Sequence, residues 1–263
     1  MTLPIVILAG RRSGIHDPLA KAAGVTHKCL VPVAGIPMIL RVLRTVSTAL
    51  PHSPLAICVD DVAVVEDLPE VRALRDAGRL TLVEAADNLF DSVKAVAQVF
   101  PPPFGITTAD NVLVTPAALH ELDAYARTSG VEAAFTMARR EDIQAVHPTG
   151  QRRFYAFRDG EFSNCNTYLV NTPNALRAAA AFKDGGQFLK APKRIIRAFG
   201  LLNLIAFRLK LRTIEATARA VGRRFGVRLG VLVFDDGRLA IDVDSEASKK
   251  VTEEILAREG ERV

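Results

Sequence analysis

Along most of the first half of the chain, short apolar runs alternate with segments whose apolar residues recur every three or four positions. Residues 3–8 form a β-branched run that closes at Gly10, and residues 55–59, 80–83 and 104–108 repeat the pattern. Each predicts a buried strand. Between them, residues 37–50 place Met38, Val42, Leu43 and Val46 on one helical stripe and stop before Pro51. Residues 62–77 predict a helix ending near Gly78, residues 92–99 one that stops at Pro101, and residues 116–128 one with Thr115 as its N-cap. This alternation predicts an α/β fold with a mostly parallel sheet and helices on both faces. The second half is less regular. Residues 131–139, 154–158, 166–170, 227–234 and 239–243 predict strands, with a turn at Asp159–Gly160; residues 173–182, 191–221 and 246–258 predict helices. No linker divides the halves, so the expectation is one domain over residues 1–263 with a basic helical elaboration at about 190–228.

Composition narrows the classes. With 263 residues, 49% of them hydrophobic, the chain can bury one sizeable core. Its net charge of +5 invites a nucleic-acid reading until the charge is located. Residues 190–228 hold eleven basic side chains and a single acid, Glu215, which puts +10 there and leaves −5 for the rest. Aromatics for base stacking are few and no binding motif accompanies the charge, so nucleic acid is not an expected partner. No uncharged apolar run reaches the length of about 18 residues that a bilayer requires. The apolar run at residues 3–8 lacks a preceding basic stretch and predicts a strand, not a signal peptide. Cys29, Cys58 and Cys165 show neither CxxC nor Cys/His ligand spacing, which predicts no disulfide or zinc site and fits a cytoplasmic address.

The first strand runs into Leu8, Ala9, Gly10, Arg11, Arg12, Ser13 and Gly14. In an open α/β sheet, ligands bind beyond the carboxyl ends of strands, and a Gly-rich turn there offers backbone N–H groups to phosphate. Arg11 and Arg12 add charged donors. The pattern is neither GxGxxG nor a P-loop, so a plain strand-to-helix turn stands beside the phosphate reading. Downstream, Lys28, Leu30, Pro32, Val33, Gly35, Pro37 and Met38 complete a K-x-L-x-P-V-x-G-x-P-M pattern. Together the two segments resemble the N-terminal signature of nucleotidyltransferases, and more narrowly of the MobA-like (molybdenum-cofactor nucleotidyltransferase-like) NTP transferase family.

The resemblance implies a Rossmann-like, GT-A type nucleotidyltransferase fold. Leu8, Ala9, Gly10, Arg11 and Gly14 would hold the nucleotide, and Lys28, assisted by Arg12, would act on the α-phosphate. A compact ammonium suits the charge that grows on a phosphoryl group in transfer. The family places a metal-binding Asp after the fourth strand, which implies Asp110 as a Mg²⁺ ligand; a turn-forming Asp is the simpler reading. Asp242 and Asp244 resemble the family's late acidic motif and supply a second ligand, Asp242 first and Asp244 as the alternative. Alternation along a strand would point both to one side, while Ser245 can cap the closing helix. Asn88 and Ser92 fall where relatives contact base or ribose, and Ser92 also qualifies as a helix N-cap. Asn164 and Asn166 fall in the segment that faces the acceptor, although turn asparagines explain them equally. Arg11 departs from the family, where a second Gly is usual, and restricts the backbone's approach to the nucleotide.

The reaction so implied is Mg²⁺-dependent transfer of a nucleotidyl group from an NTP, with CTP or GTP favoured, to a phosphorylated small molecule with release of pyrophosphate. Two other classes stay open: a GT-A glycosyltransferase using a nucleotide-sugar, and a non-catalytic nucleotide-binding module. Within the basic segment, Ile195, Ile196, Phe199, Leu202, Ile205 and Leu209 interleave with cations. Such a helix can pack in the core, dock a partner, or lie peripherally on an anionic membrane.

Overall fold

The chain lays down β1 (Ile5–Leu8), α1 (Pro18–Ala22), the short strands β2 (Pro32–Val33) and β3 (Ile36–Pro37), α2 (Met38–Ala49) and β4 (Leu55–Val59). There follow α3 (Ala63–Glu66), α4 (Pro69–Asp76), β5 (Leu80–Glu84), α5 (Leu89–Val99), β6 (Phe104–Thr108), α6 (Pro116–Thr128), β7 (Ala133–Arg139) and α7 (Arg140–Val146). The last elements are β8 (Tyr155–Phe157), β9 (Gly160–Val170), α8 (Leu201–Arg208), α9 (Ile214–Phe225), β10 (Leu229–Phe234) and α10 (Glu246–Gly260). This computed structural model describes residues 2–10, 17–176 and 200–260. The helix expected past residue 176, the part of the basic helix at 191–199, and Arg11, Arg12 and Gly14 lie outside the described residues.

The main sheet has the order β10-β7-β9-β6-β1-β4-β5, with β8 paired to β9. β5, β4, β1 and β6 are parallel neighbours, as are β7 and β10; β9 runs antiparallel between β6 and β7. The sheet is therefore mostly parallel, as expected. Alternation along β1 feeds two cores. Ile5 and Ile7 join Leu43 and Val46 of α2 and Leu119 and Leu122 of α6. Val6 joins Val93 and Val96 of α5 on the other face. Helices thus cover both faces, and each buried aliphatic contributes about 1.5–3 kcal/mol through desolvation. From β1 the chain builds outward through β4 and β5, then returns to add β6 on the opposite side of β1. The resulting switch point leaves a crevice beyond the carboxyl ends of β1 and β6.

Several expected elements differ for identifiable reasons. The helix at 62–77 is two helices, because Leu68 is extended (φ −63°, ψ 131°) ahead of Pro69. α5 begins three residues earlier than expected, and Asn88, not Ser92, is its N-cap: Asn88 Oδ1 accepts from the Asp91 N–H at 3.0 Å. The strand expected at 166–170 extends back to Gly160. The long basic helix is broken into α8 and α9 at Lys210, whose φ is +52°. Residues 239–243 form no strand; a 3₁₀ turn at Gly237–Ala240 leads into irregular chain. The turn follows from close approach at Gly237, where an added Cβ would lie 2.3 Å from the Asp142 backbone at α7, a helix the sequence pattern did not predict.

That contact yields a test of how the late segment is seated. Gly237→Ala is expected to cost roughly 1–3 kcal/mol in urea denaturation, whereas Gly260→Ala, where a Cβ meets nothing within 4 Å, is near neutral. Equal midpoints for the two variants would remove the packing argument.

Candidate active site

Three carboxylates and an ammonium group meet in the crevice beyond β1 and β6. The turn after β6 carries Asp110, whose Oδ1 accepts a 2.5 Å hydrogen bond from Thr108 Oγ1. The Val243 N–H donates to the Asp110 carbonyl at 3.1 Å, which ties the late segment to this turn. Asp242 and Asp244 are thereby brought to Asp110, and one carboxylate oxygen from each of the three lies within 4.8 Å of the others. Ser245 Oγ accepts from the Ser248 N–H at 3.2 Å, while Ser248 Oγ accepts from the N–H groups of Asp244 and Ser245. This reciprocal cap opens α10 and leaves the Asp244 carboxylate free for the crevice. The capping expected of Ser245 is present.

Lys28 is delivered by its own segment. It begins a 3₁₀ turn, Lys28–Leu30, anchored by buried Cys29 and by His27, whose Nε2 lies 3.3 Å from Asp60 Oδ2. Beyond it, β2 and β3 pair through a two-residue turn at Ala34 and Gly35, with φ of +45° and +76°. Positive φ at both positions is the tight hairpin geometry, and Gly35 meets it without strain. Arg41 Nε donates to the Val33 carbonyl at 2.7 Å and holds the hairpin to α2. Within the signature segment Val31, Val33 and Met38 are fully buried and Leu30 is half-buried, so much of it is packing that aims one lysine. Lys28 Nζ lies 2.5 Å from Asp110 Oδ2 and also donates to Asp244 Oδ1.

The electrostatics follow from this crowding. Burial, then the neighbouring charges of Asp244 and Asp110, push the Asp242 carboxyl up to about 7. Asp244 lies at the exposed edge of the cluster; partial desolvation opposes its charge, but Lys28 holds it below the ordinary carboxylate range. Burial works against the Lys28 ammonium, and Asp110 and Asp244 more than offset it, so its pKa is raised. One ammonium against three carboxylates leaves an excess of negative charge and a set of hard oxygen donors. Those donors suit a small divalent cation, and Asp110, Asp242 and Asp244 would hold it.

Other expected site residues lie around this cluster or in the loops near it. Asn166 Nδ2 donates to Asp242 Oδ2 at 3.1 Å, and Asn164 Nδ2 donates to Asn166 Oδ1 at 2.8 Å and to the Tyr168 hydroxyl at 2.7 Å. The two amides form a chain ending on a carboxylate. A bulge makes this possible: between the pairs Phe135–Tyr168 and Met137–Asn164, Thr136 of β7 faces three residues of β9, and Asn166 adopts φ +49°. Sequence reasoning missed Asn111. Its buried Nδ2 lies 3.1 Å from Thr107 Oγ1, 3.1 Å from the Cys165 carbonyl and 3.2 Å from Thr167 Oγ1, linking β6 to β9 beneath the site. The position beside Asp110 was visible, but an amide there reads as a turn residue. Leu8 and Ala9 lie at the end of β1, and Gly10 is exposed, with room for a Cβ limited by Ala85 at 3.1 Å. At Ser92, Oγ donates to the Asn88 carbonyl at 2.9 Å and accepts from the Ala86 N–H at 3.0 Å, bracing the loop after β5. The three cysteines are free and buried, and burial pushes the Cys29 and Cys58 thiols up to about 12.

The sequence profile of the MobA-like NTP transferase domain matches residues 5–198. The chain belongs to the MobA-like NTP transferase family. That membership makes it a nucleotidyltransferase, with Lys28 and Asp110 inside the matched region and Asp242 and Asp244 beyond it. Solved structures agree on the Rossmann-like fold of this MobA-like chain. A hypothetical transferase from Thermus thermophilus superposes with a TM-score of 0.76 at 19% identity, covering 95% of this chain and 100% of that one. CMP:2-keto-3-deoxy-manno-octonic acid synthetase, complexed with CTP, gives 0.59 at 12% identity over 98% and 100%. Bifunctional IspDF from Campylobacter jejuni gives 0.54 at 9% identity, covering 95% of this chain and 54% of that one. A search of curated proteins returns no match.

The Asp242 environment makes a pH prediction. Its folded pKa of about 7 stands above the ordinary 3.8, so the folded state keeps a proton that the unfolded chain has released. Stability of the metal-free protein is therefore expected to fall as pH rises from about 4 to about 7, and to level off above. Asp242→Asn should remove that fall and raise the thermal midpoint at pH 8, by roughly 2–4 °C for each kcal/mol recovered. Parallel pH–midpoint curves for the two proteins would contradict the crowding argument.

Proposed function

We propose that the protein transfers a nucleotidyl group from an NTP, CTP or GTP in preference, to a phosphate monoester on a small molecule. The observation that carries this reading is the three-carboxylate cluster, bridged by Lys28, at the switch point of the sheet. An acceptor phosphate oxygen attacks the α-phosphorus; the new P–O bond forms as the bond to the β-phosphate oxygen breaks, and its electron pair leaves with pyrophosphate. No protein nucleophile is required, so catalysis lies in positioning and charge. Lys28 neutralises two carboxylates while the phosphates are absent, and its flexible stem lets the ammonium reach the α-phosphoryl oxygens when they arrive. Asn164 and Asn166 keep Asp242 oriented, the work of a second layer behind a ligand. Leu8, Ala9, Gly10, Arg11 and Gly14 serve as the nucleotide-binding segment, Arg12 assists Lys28, and Asn88 and Ser92 serve base and ribose. Mg²⁺, when bound by Asp110, Asp242 and Asp244, would supply Lewis-acid stabilisation of the transferring phosphate.

The CTP-complexed synthetase is a fold relative that supports the leaning toward cytidine. The acceptor could be a pterin cofactor, a sugar phosphate or a lipid headgroup phosphate. A cytoplasmic address fits these substrates. A glycosyltransferase would consume a nucleotide-sugar and form no pyrophosphate, and a non-catalytic module would form no product. The family match favours neither.

Pyrophosphate release distinguishes the three. Incubation with each NTP, Mg²⁺ and a panel of phosphate monoesters is expected to give acceptor-dependent release, strongest with CTP or GTP. Lys28→Ala and Asp110→Asn should each lower the rate by about 10²–10³. Release that survives Lys28→Ala unchanged would overturn the lysine's role. No release from any NTP across a broad panel would overturn the transferase reading.

A further inference from the structure

Away from the acidic site, one surface departs from the usual scatter of single exposed apolar residues. Among the described residues, large exposed hydrophobic side chains number seven, and four of them fall within residues 202–211. They are Leu202 (79% exposed), Ile205 (45%), Leu209 (61%) and Leu211 (56%). Leu202, Ile205 and Leu209 follow one another at intervals of three and four and so share one stripe of α8 and its cap. The opposite stripe holds α8 to the body of the protein. There Phe207 meets Phe157 of β8 edge to face, with centroids 5.4 Å apart, and Ala206 is buried. Asn203 Oδ1 accepts from Arg212 Nη1 at 2.6 Å. The helix is therefore packed by one apolar side while a second apolar side meets water, an arrangement that marks an interaction surface.

The charges around this patch are mostly positive, with Asp159 and Glu215 as acids beside the turn after α8. Arg208 and Lys210 are exposed within it, and exposed Arg158 borders it, its N–H donating to the Arg212 carbonyl at 3.0 Å. Across residues 200–228 the only acid is Glu215, against seven basic residues. Position matters as much as composition. Asp159 Oδ1 accepts from the Ile214 N–H at 3.0 Å, so the turn between α8 and α9 is tied to the tip of the β8–β9 hairpin. That tip lies on the carboxyl-end side of the sheet, the side that carries the acidic site. Six steps along β9 lead from Gly160 to Asn166, at most about 20 Å.

From these features we propose that α8 and the turn after it dock the protein peripherally on an anionic lipid bilayer, on the side of the sheet that carries the acidic site. Leu202, Ile205, Leu209 and Leu211 enter the boundary between headgroups and acyl chains, and Arg208 and Lys210 meet lipid phosphates. A second copy of the chain would set the same cations against each other. Nucleic acid would stack on aromatic rings, whereas this centre is aliphatic. No described helix is long and apolar enough to cross a membrane, so the contact is confined to the surface. The proposal stands apart from the nucleotidyl-transfer reading, since binding is read without substrates.

The test is sedimentation of the full chain with vesicles of phosphatidylcholine alone or with about one third phosphatidylglycerol. Recovery with the anionic vesicles is expected, falling as salt is raised and the Debye length shrinks. Combining L202S, I205S, L209S and L211S should weaken apparent binding at least tenfold, with thermal midpoint and any pyrophosphate release in solution unchanged. A separate R208Q/K210Q variant, which leaves the apolar stripe intact, should lose the anionic preference. Equal recovery with neutral vesicles, no recovery with either, or variants that bind like the parent would each overturn the proposal. So would sedimentation velocity showing a dimer that the serine variant dissociates, because the patch would then be an interface between copies.

Discussion

Holding three carboxylates within 4.8 Å of one another is the constraint around which this end of the molecule is arranged. Two unit charges about 4 Å apart repel by about 1 kcal/mol in water and about 4 kcal/mol in a protein-like medium. Burial sharpens the conflict, and the raised Asp242 carboxyl records it. What offsets the conflict comes from three donors: Lys28 arrives on a hairpin-braced turn, Thr108 donates to Asp110, and Asn166 donates to Asp242. None of these donors removes the excess negative charge. A metal-free pocket of this kind is poised toward cations.

The place of that pocket is a consequence of strand order. Because β4 and β5 are added on one side of β1 and β6 on the other, the connections diverge and leave the crevice open above β1 and β6. Antiparallel β9 then enters between β6 and β7 and brings two asparagines up behind the carboxylates. Fold and charge thus agree on one location, which is also where the family signature points. The hydrogen-bonded amide of Asn111 locks β6 to β9 below it, so the turn that carries Asp110 rests on two paired strands.

Much of this was legible from residues alone. The four parallel strands at β1, β4, β5 and β6 follow apolar runs, and Lys28 and Asp110 follow from short motifs adjacent to them. The misreadings share a cause. Residues 239–243 have strand-like alternation, yet Gly237 packs so closely on Asp142 that the chain turns instead. Asp242 and Asp244 still reach the crevice together, through the Val243–Asp110 hydrogen bond and not through strand geometry. Ser92 suits a cap chemically, but Asn88 lies where α5 begins, and Ser92 serves the loop instead. The break before α4 was written in Leu68–Pro69 and needed only local sterics to read.

By itself, then, the chain determined which segments are apolar strands, which stripes of helix are buried, that positive charge is concentrated near the end, and that a lysine and an aspartate follow strand ends. These are properties of neighbours along the chain, set by side-chain period and backbone sterics. The tertiary structure alone decided that Lys28 would pair with both Asp110 and Asp244, that a bulge in β9 would turn Asn166 toward Asp242, and that the outward stripe of α8 would keep its leucines in water. Each of those depends on pairings between residues far apart in sequence, and no local pattern encodes the partner.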